Sequence, residues 1–261
     1  MIASSRQLLL LMTFAFWASL LTIPDAAGNE CIACHRNPDF FAQYPKLNEY
    51  YQEWRDSPHA RAEVTCDNCH GGRPRATSAS KAHSGVLSMS DTKSTLHFQR
   101  QPKTCGRCHS DVREEFVQSK HYAALSGQRA APTCTTCHPA MSQRPDFRLI
   151  VLNACRNCHG EGNSEDLPLV TADAESLFHQ LNIVEGLLGW TRIHYESRGW
   201  PGDSRSRVAD IEARYQKTLN WVHQFHLQET VAETEVILGE LREFFETARR
   251  EFESQADAGG S

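Results

Sequence analysis

Five times along this chain a Cys, two variable residues, a second Cys and a His follow one another, and the five copies use all ten cysteines. They are Cys31, Cys34 and His35; Cys66, Cys69 and His70; Cys105, Cys108 and His109; Cys134, Cys137 and His138; and Cys155, Cys158 and His159. Two thiols and an imidazole at this spacing form the attachment pattern for a c-type haem, in which both sulfurs bond to the macrocycle and the adjacent His reaches the iron. A disulfide framework, zinc sites or thiol exchange also uses paired cysteines, but none of them needs a His after the second one. With 13 His among 261 residues, chance would put one there in all five copies on the order of once in a few million. The expected cofactor is therefore five haem c groups, with the ten cysteines as attachment points and the five motif histidines on iron.

From Cys31 to His159 there are 129 residues for five such groups, too little polypeptide for an ordinary apolar core. Pro, Gly, Ser and Arg are frequent in this stretch, and no helical periodicity is sustained across it. The macrocycles are expected to supply the core, wrapped by short helices and loops, so that folding depends on their attachment.

After about residue 170 the pattern changes. Leu177, Leu181, Val184 and Leu188 recur at helical spacing, with His179, Ile183, Leu187, Trp190 and His194 as a neighbouring stripe. Pro201-Gly202 ends that helix, and Asp203 or Ser204 can cap the next. Val208, Ile211, Tyr215, Leu219, Val222 and His226 continue the pattern, and Val236, Leu241, Phe244, Phe245, Ala248 and Phe252 follow, as two or three long helices with the last two separate or fused. The expected fold class is mainly α, with a haem-wrapping domain over residues 29–160 and a bundle of long amphipathic helices over 161–261 that covers it or pairs with a second copy.

Residues 1–28 read as an export signal: Arg6 precedes an apolar run from Leu8 to Ile23, and Ala26-Ala27-Gly28 offers small residues for cleavage. Retention of residues 8–23 as a membrane anchor stays open. Either form places the chain in the periplasm, where sulfur-linked haem is compatible with the oxidising compartment. Charge divides along the chain: residues 1–159 hold 18 Lys and Arg against 13 Asp and Glu, and residues 160–261 hold 9 against 19. The basic surplus suits pairing with haem propionates and does not imply nucleic acid; the acidic part is a solvated surface or a face for a basic redox partner.

An iron that only passes electrons needs a second axial ligand. Eight histidines remain after the motifs. His59, His83, His97 and His121 lie between motifs and are the first distal candidates. For the fifth, His179 leads, because it follows the last motif by 20 residues and shares a stripe with Trp190. His194 and Met141 stay open, and His223 and His226 are read as core or surface positions.

The stretch Trp54-Arg55-Asp56-Ser57-Pro58-His59, followed by Val64-Thr65, Cys66 and Gly71-Gly72, resembles a recurring element of multihaem cytochromes c. Phe116-Val117-Gln118-Ser119-Lys120-His121, ahead of Pro132-Thr133 and Cys134, resembles a second copy. In that family the histidine after the serine is a distal ligand, and Lys81-Ala82-His83-Ser84-Gly85 is similar to a segment that supplies another. The resemblance covers residues 31–160 and points to the broad lineage of pentahaem electron carriers, quinol dehydrogenases, ammonia-forming nitrite reductase and hydroxylamine oxidoreductase. It implies an electron carrier between a respiratory donor and a terminal reductase, with redox proteins as partners and no catalytic side chain. The alternative it implies is a haem enzyme acting on a small nitrogen or sulfur compound at one open iron. No Cys-x-x-Cys-Lys occurs, and no Gly-rich phosphate loop, Gly-x-Ser-x-Gly turn or His-Glu-x-x-His zinc motif is present.

The signal can be tested directly. N-terminal sequencing of the protein recovered after cell fractionation should give a start near Asn29 in the soluble fraction; an intact Met1 in membranes would instead establish the anchor.

Overall fold

The structure is a computed structural model that describes residues 28–139, 141, 150–162, 168–200 and 202–259. The expected export signal lies outside the described residues. Among those described the chain is mainly helical, with no strand.

Two compact units form, one ending at Val86 and the other beginning at Leu87. The composition boundary near residue 160 falls inside the second unit. There the segment with the last three motifs is joined to later helices: Asn220 donates to Asp111 Oδ2 at 3.1 Å, and Gln224 donates to Glu115.

Short helices make up the first unit: α1 (Glu30–His35), α2 (Pro38–Gln43), α3 (Pro45–Arg55), α4 (Pro58–Arg61), α5 (Cys66–His70) and α6 (Ala79–Ala82). Their starts follow from local chemistry. Asn29, Asn37 and Ser57 accept backbone N–H groups at the N-termini of α1, α2 and α4, and proline opens α2, α3 and α4, where its missing N–H costs nothing.

In the second unit α7 (Gln101–Cys105), α8 (Ser110–Phe116), α9 (Lys120–Ser126), α10 (Cys134–Cys137) and α11 (Arg156–His159) are equally short, and a π-helical turn (Val151–Cys155) leads into α11. Three long helices follow: α12 (Pro168–Arg198), α13 (Ser204–Trp221) and α14 (Leu227–Gly259). The last two are separate. Between them the 3-10 turn Val222–Gln224 ends at Phe225, whose φ of +63° is left-handed and stops the helix without a glycine.

The long helices share one apolar core. Leu177, Leu181, Val184 and Leu188 of α12 pack with Val208, Ile211 and Tyr215 of α13 and with Ile237, Leu241 and Phe244 of α14. The Tyr215 hydroxyl crosses this core to donate to the Leu181 carbonyl at 3.2 Å. At the surface, Arg214 of α13 meets Glu240 at 2.7 Å and Glu233 at 3.6 Å, pairs that add little stability in water.

Buried apolar side chains are distributed very unequally. Among the described residues before 163 they are Ile32, Pro102, Phe116, Leu125 and Ile150 alone, against fourteen from Ala174 onward. The five motifs therefore sit in chain that has almost no apolar core of its own.

Leu241→Ala should lower stability to denaturant by about 2–5 kcal/mol, since Leu241 is fully buried. Val236→Ala, at a position 52% exposed, should change it by about 0.5 kcal/mol at most. Circular dichroism during urea unfolding separates the two.

Candidate functional site

Each motif is built around a helical turn, which puts the first and second cysteines, three residues apart, on one face. In the second and fourth motifs the first cysteine opens a helix, α5 or α10. Thr65 and Thr133 form reciprocal capping pairs there with Asn68 and Thr136. All ten cysteines are free thiols.

Three motif histidines face a second histidine at nearly one spacing. Ring centroids lie 6.1 Å apart for His35 and His83, 5.9 Å for His159 and His121, and 6.0 Å for His138 and His223. A metal bound between two imidazoles takes an iron–nitrogen bond of about 2 Å on each side plus about 1 Å to each ring centre, so centroids about 6 Å apart fit a hexacoordinate haem iron. Among the described residues there is no group of three or more His, Cys, Asp or Glu that could hold a metal ion. A haem iron needs only two protein ligands, because the porphyrin supplies the other four.

The local structure holds these rings in place. Ser57 and Ser119, both buried, cap α4 and α9 by accepting Ala60 N–H at 3.2 Å and Tyr122 N–H at 3.0 Å. The serine two residues before His59 and before His121 thus fixes each histidine in a first helical turn. The Ser57 hydroxyl also donates to Trp54 O at 2.6 Å, and the Trp54 indole donates to Val64 O at 2.8 Å. His83 directly follows α6, and its Nδ1 lies 2.8 Å from Ala79 O. A carbonyl only accepts, so that Nδ1 carries the proton and Nε2 keeps its lone pair. Gly72, at φ +93°, lets the backbone after the second motif approach α6; a Cβ there would stand 2.7 Å from Ala82 O.

Burial favours the neutral imidazole, the form a metal binds. It lowers the pKa of His35, His121 and His138, and in each case the facing histidine adds to the shift. His70 and His223 are lowered by burial as well.

The motifs also lie against one another. In the first unit Asn29, the cap of α1, donates to Asp67 of the second motif at 3.0 Å. Burial pushes the Cys66 thiol up to about 11, with Cys31 adding to it. In the second unit the Cys105 and Cys134 thiols hydrogen-bond, which raises Cys105 and lowers Cys134. Burial, with Cys155 adding to it, pushes the Cys137 thiol up to about 11. Gln101, buried on α7, ties the third motif to the fourth: its Oε1 accepts from the Thr133 and Thr135 hydroxyls at 2.7 and 2.8 Å.

Of the distal candidates, the structure brings His83 and His121 to motif histidines. His59 is half-buried on α4. His97 is buried beside the Phe98 ring at 4.4 Å, its Nδ1 without a hydrogen-bond partner. His179, the first choice for the fifth position, is exposed on α12, and His194 is buried and stacked on Trp190 at 4.7 Å. Met141 is half-buried. The residue that faces His138 is His223, not the core or surface position its sequence suggests. Sequence separation hid it: the two positions are 85 apart, and the chain returns only after two long helices. No local signal in the sequence marks the turn that brings it there, since Phe225 ends the helix without a glycine or proline.

No helix among the described residues is long and apolar enough to cross a membrane. Comparison with protein-family models, with curated proteins and with solved structures gave no match.

Gln101→Ala would leave the Thr133 and Thr135 hydroxyls without their shared acceptor. It should cost about 1–3 kcal/mol, read as a lower urea midpoint for the purified protein, while Gln118→Ala, at an exposed position, should leave the midpoint near its original value.

Proposed function

We propose that the chain is an exported multihaem c-type cytochrome that relays electrons between a respiratory donor and a terminal reductase through five covalently bound haems. The observation that carries this reading is the spacing of about 6 Å between three motif histidines and a second histidine each. Such groups, when bound, supply one-electron chemistry at iron.

The protein's own residues have three tasks in this reading. Cys31, Cys34, Cys66, Cys69, Cys105, Cys108, Cys134, Cys137, Cys155 and Cys158 hold the macrocycles covalently, and His35, His70, His109, His138 and His159 bind iron. His83 and His121, each about 6 Å from a motif histidine, would serve as second iron ligands beside His35 and His159, and irons so held would favour transfer over catalysis. His59 and His97 are proposed for the same role. Finally, the contacts between the first and second motifs, the third and fourth, and the fourth and fifth would set neighbouring groups close together, as stepwise transfer within each unit requires. The scarcity of apolar core around the motifs supports the haem-wrapping fold, and the three long helices would form the covering bundle.

Mass spectrometry of the native protein should show five porphyrin increments; a bare polypeptide mass removes the reading altogether. Electron paramagnetic resonance of the oxidised protein should show low-spin iron, with His83→Ala and His121→Ala each turning one site high-spin. A native high-spin signal that shifts on adding nitrite or hydroxylamine would favour an enzyme instead.

A further inference from the structure

This inference rests on the haem reading above and deepens it. We propose that His223 is the distal axial ligand of the iron held by the Cys134, Cys137 and His138 motif, so that the C-terminal helical region contributes a metal ligand as well as packing.

The rings of His138 and His223 lie 6.0 Å apart and within 20° of parallel, the smallest tilt of the three pairs. The chemistry of the His223 ring suits ligation. Its Nδ1 is 3.1 Å from Leu219 O and 3.2 Å from Asn220 O. Both partners are carbonyls that can only accept, so the proton sits on Nδ1 and the lone pair on Nε2. This is the outer hydrogen bond that orients metal-bound imidazoles in general and fixes their tautomer.

The turn that carries His223 is clamped on both sides. Asn220, three residues before, donates to Asp111 Oδ2 at 3.1 Å, and Gln224, just after, donates to Glu115. Both acceptors belong to α8, the helix that begins directly after the third motif. Phe225 then turns into the left-handed region and sets its ring edge-on against His121 at 4.2 Å and against Phe116 at 6.3 Å. A surface histidine needs none of this.

The competitors are placed differently. His179 is exposed. The His194 ring is taken up by stacking on Trp190 and by an edge contact with Tyr195 at 5.0 Å.

The test uses the full-length protein purified with its haems, counted by mass. His223→Ala should keep all five porphyrin increments while one iron turns from low-spin to high-spin in the oxidised spectrum, and added imidazole should restore the low-spin signal. His179→Ala and Met141→Ala should leave the spectrum unchanged. If His223→Ala does not accumulate, His223→Met decides: thioether ligation should give the near-infrared sulfur-to-iron band and raise the midpoint potential of one site. Five increments with an unaltered low-spin spectrum in His223→Ala, no such band in His223→Met, or a high-spin site created by His179→Ala would each overturn the assignment. A wild-type mass without porphyrin defeats the haem reading itself and is told apart by that measurement alone.

Discussion

Two imidazoles hold a separation near 6 Å only if the backbone behind each ring is fixed, and much of the local structure of residues 28–160 does that fixing. Ser57 and Ser119 are buried for the sake of a cap. Gly72 gives up a side chain so that two backbone segments can approach. Gln101 spends a buried amide on joining two motifs. Buried polar groups of this kind are satisfied mainly by one another, and they specify positions more than they add stability. On the proposed reading, what they position is the axial geometry of iron.

The energetics divide along the same line. From Ala174 onward the long helices bury Leu, Ile, Val, Tyr and Phe against each other, and this packing is the ordinary source of stability. Residues 28–160 have no comparable resource: only Ile32, Pro102, Phe116, Leu125 and Ile150 are buried apolar side chains among those described. A region with so little buried apolar surface needs cross-links, metals or cofactors to fold. Five macrocycles bonded to ten sulfurs would supply apolar surface and cross-linking together.

Much of this was legible in the sequence, and for different reasons in each part. The stripe Leu177, Leu181, Val184 and Leu188 is buried as its period required, because a helical face reports its environment over a few residues. The Ser57 and Ser119 stretches stood out through their resemblance to elements of multihaem cytochromes c, and the structure adds that each serine caps a helix. What was not legible was long-range. His223 joins His138 across two long helices, and nothing within ten residues of it names that partner. The separation of α13 from α14 was hidden for another reason: neither proline nor glycine marks it, and Phe225 adopts a left-handed conformation that composition does not betray. Composition changes near residue 160, and the chain divides into compact units after Val86.

The turn at residues 222–225 has a mechanical consequence. Within four residues it carries the ring that faces His138 and the ring that leans on His121, which in turn faces His159. These two imidazole pairs share one lever, and the arms of that lever are the 18-residue α13 and the 33-residue α14. One short turn thus touches both imidazole pairs, so a change in how α13 meets α14 bears on the fourth and the fifth motif at once.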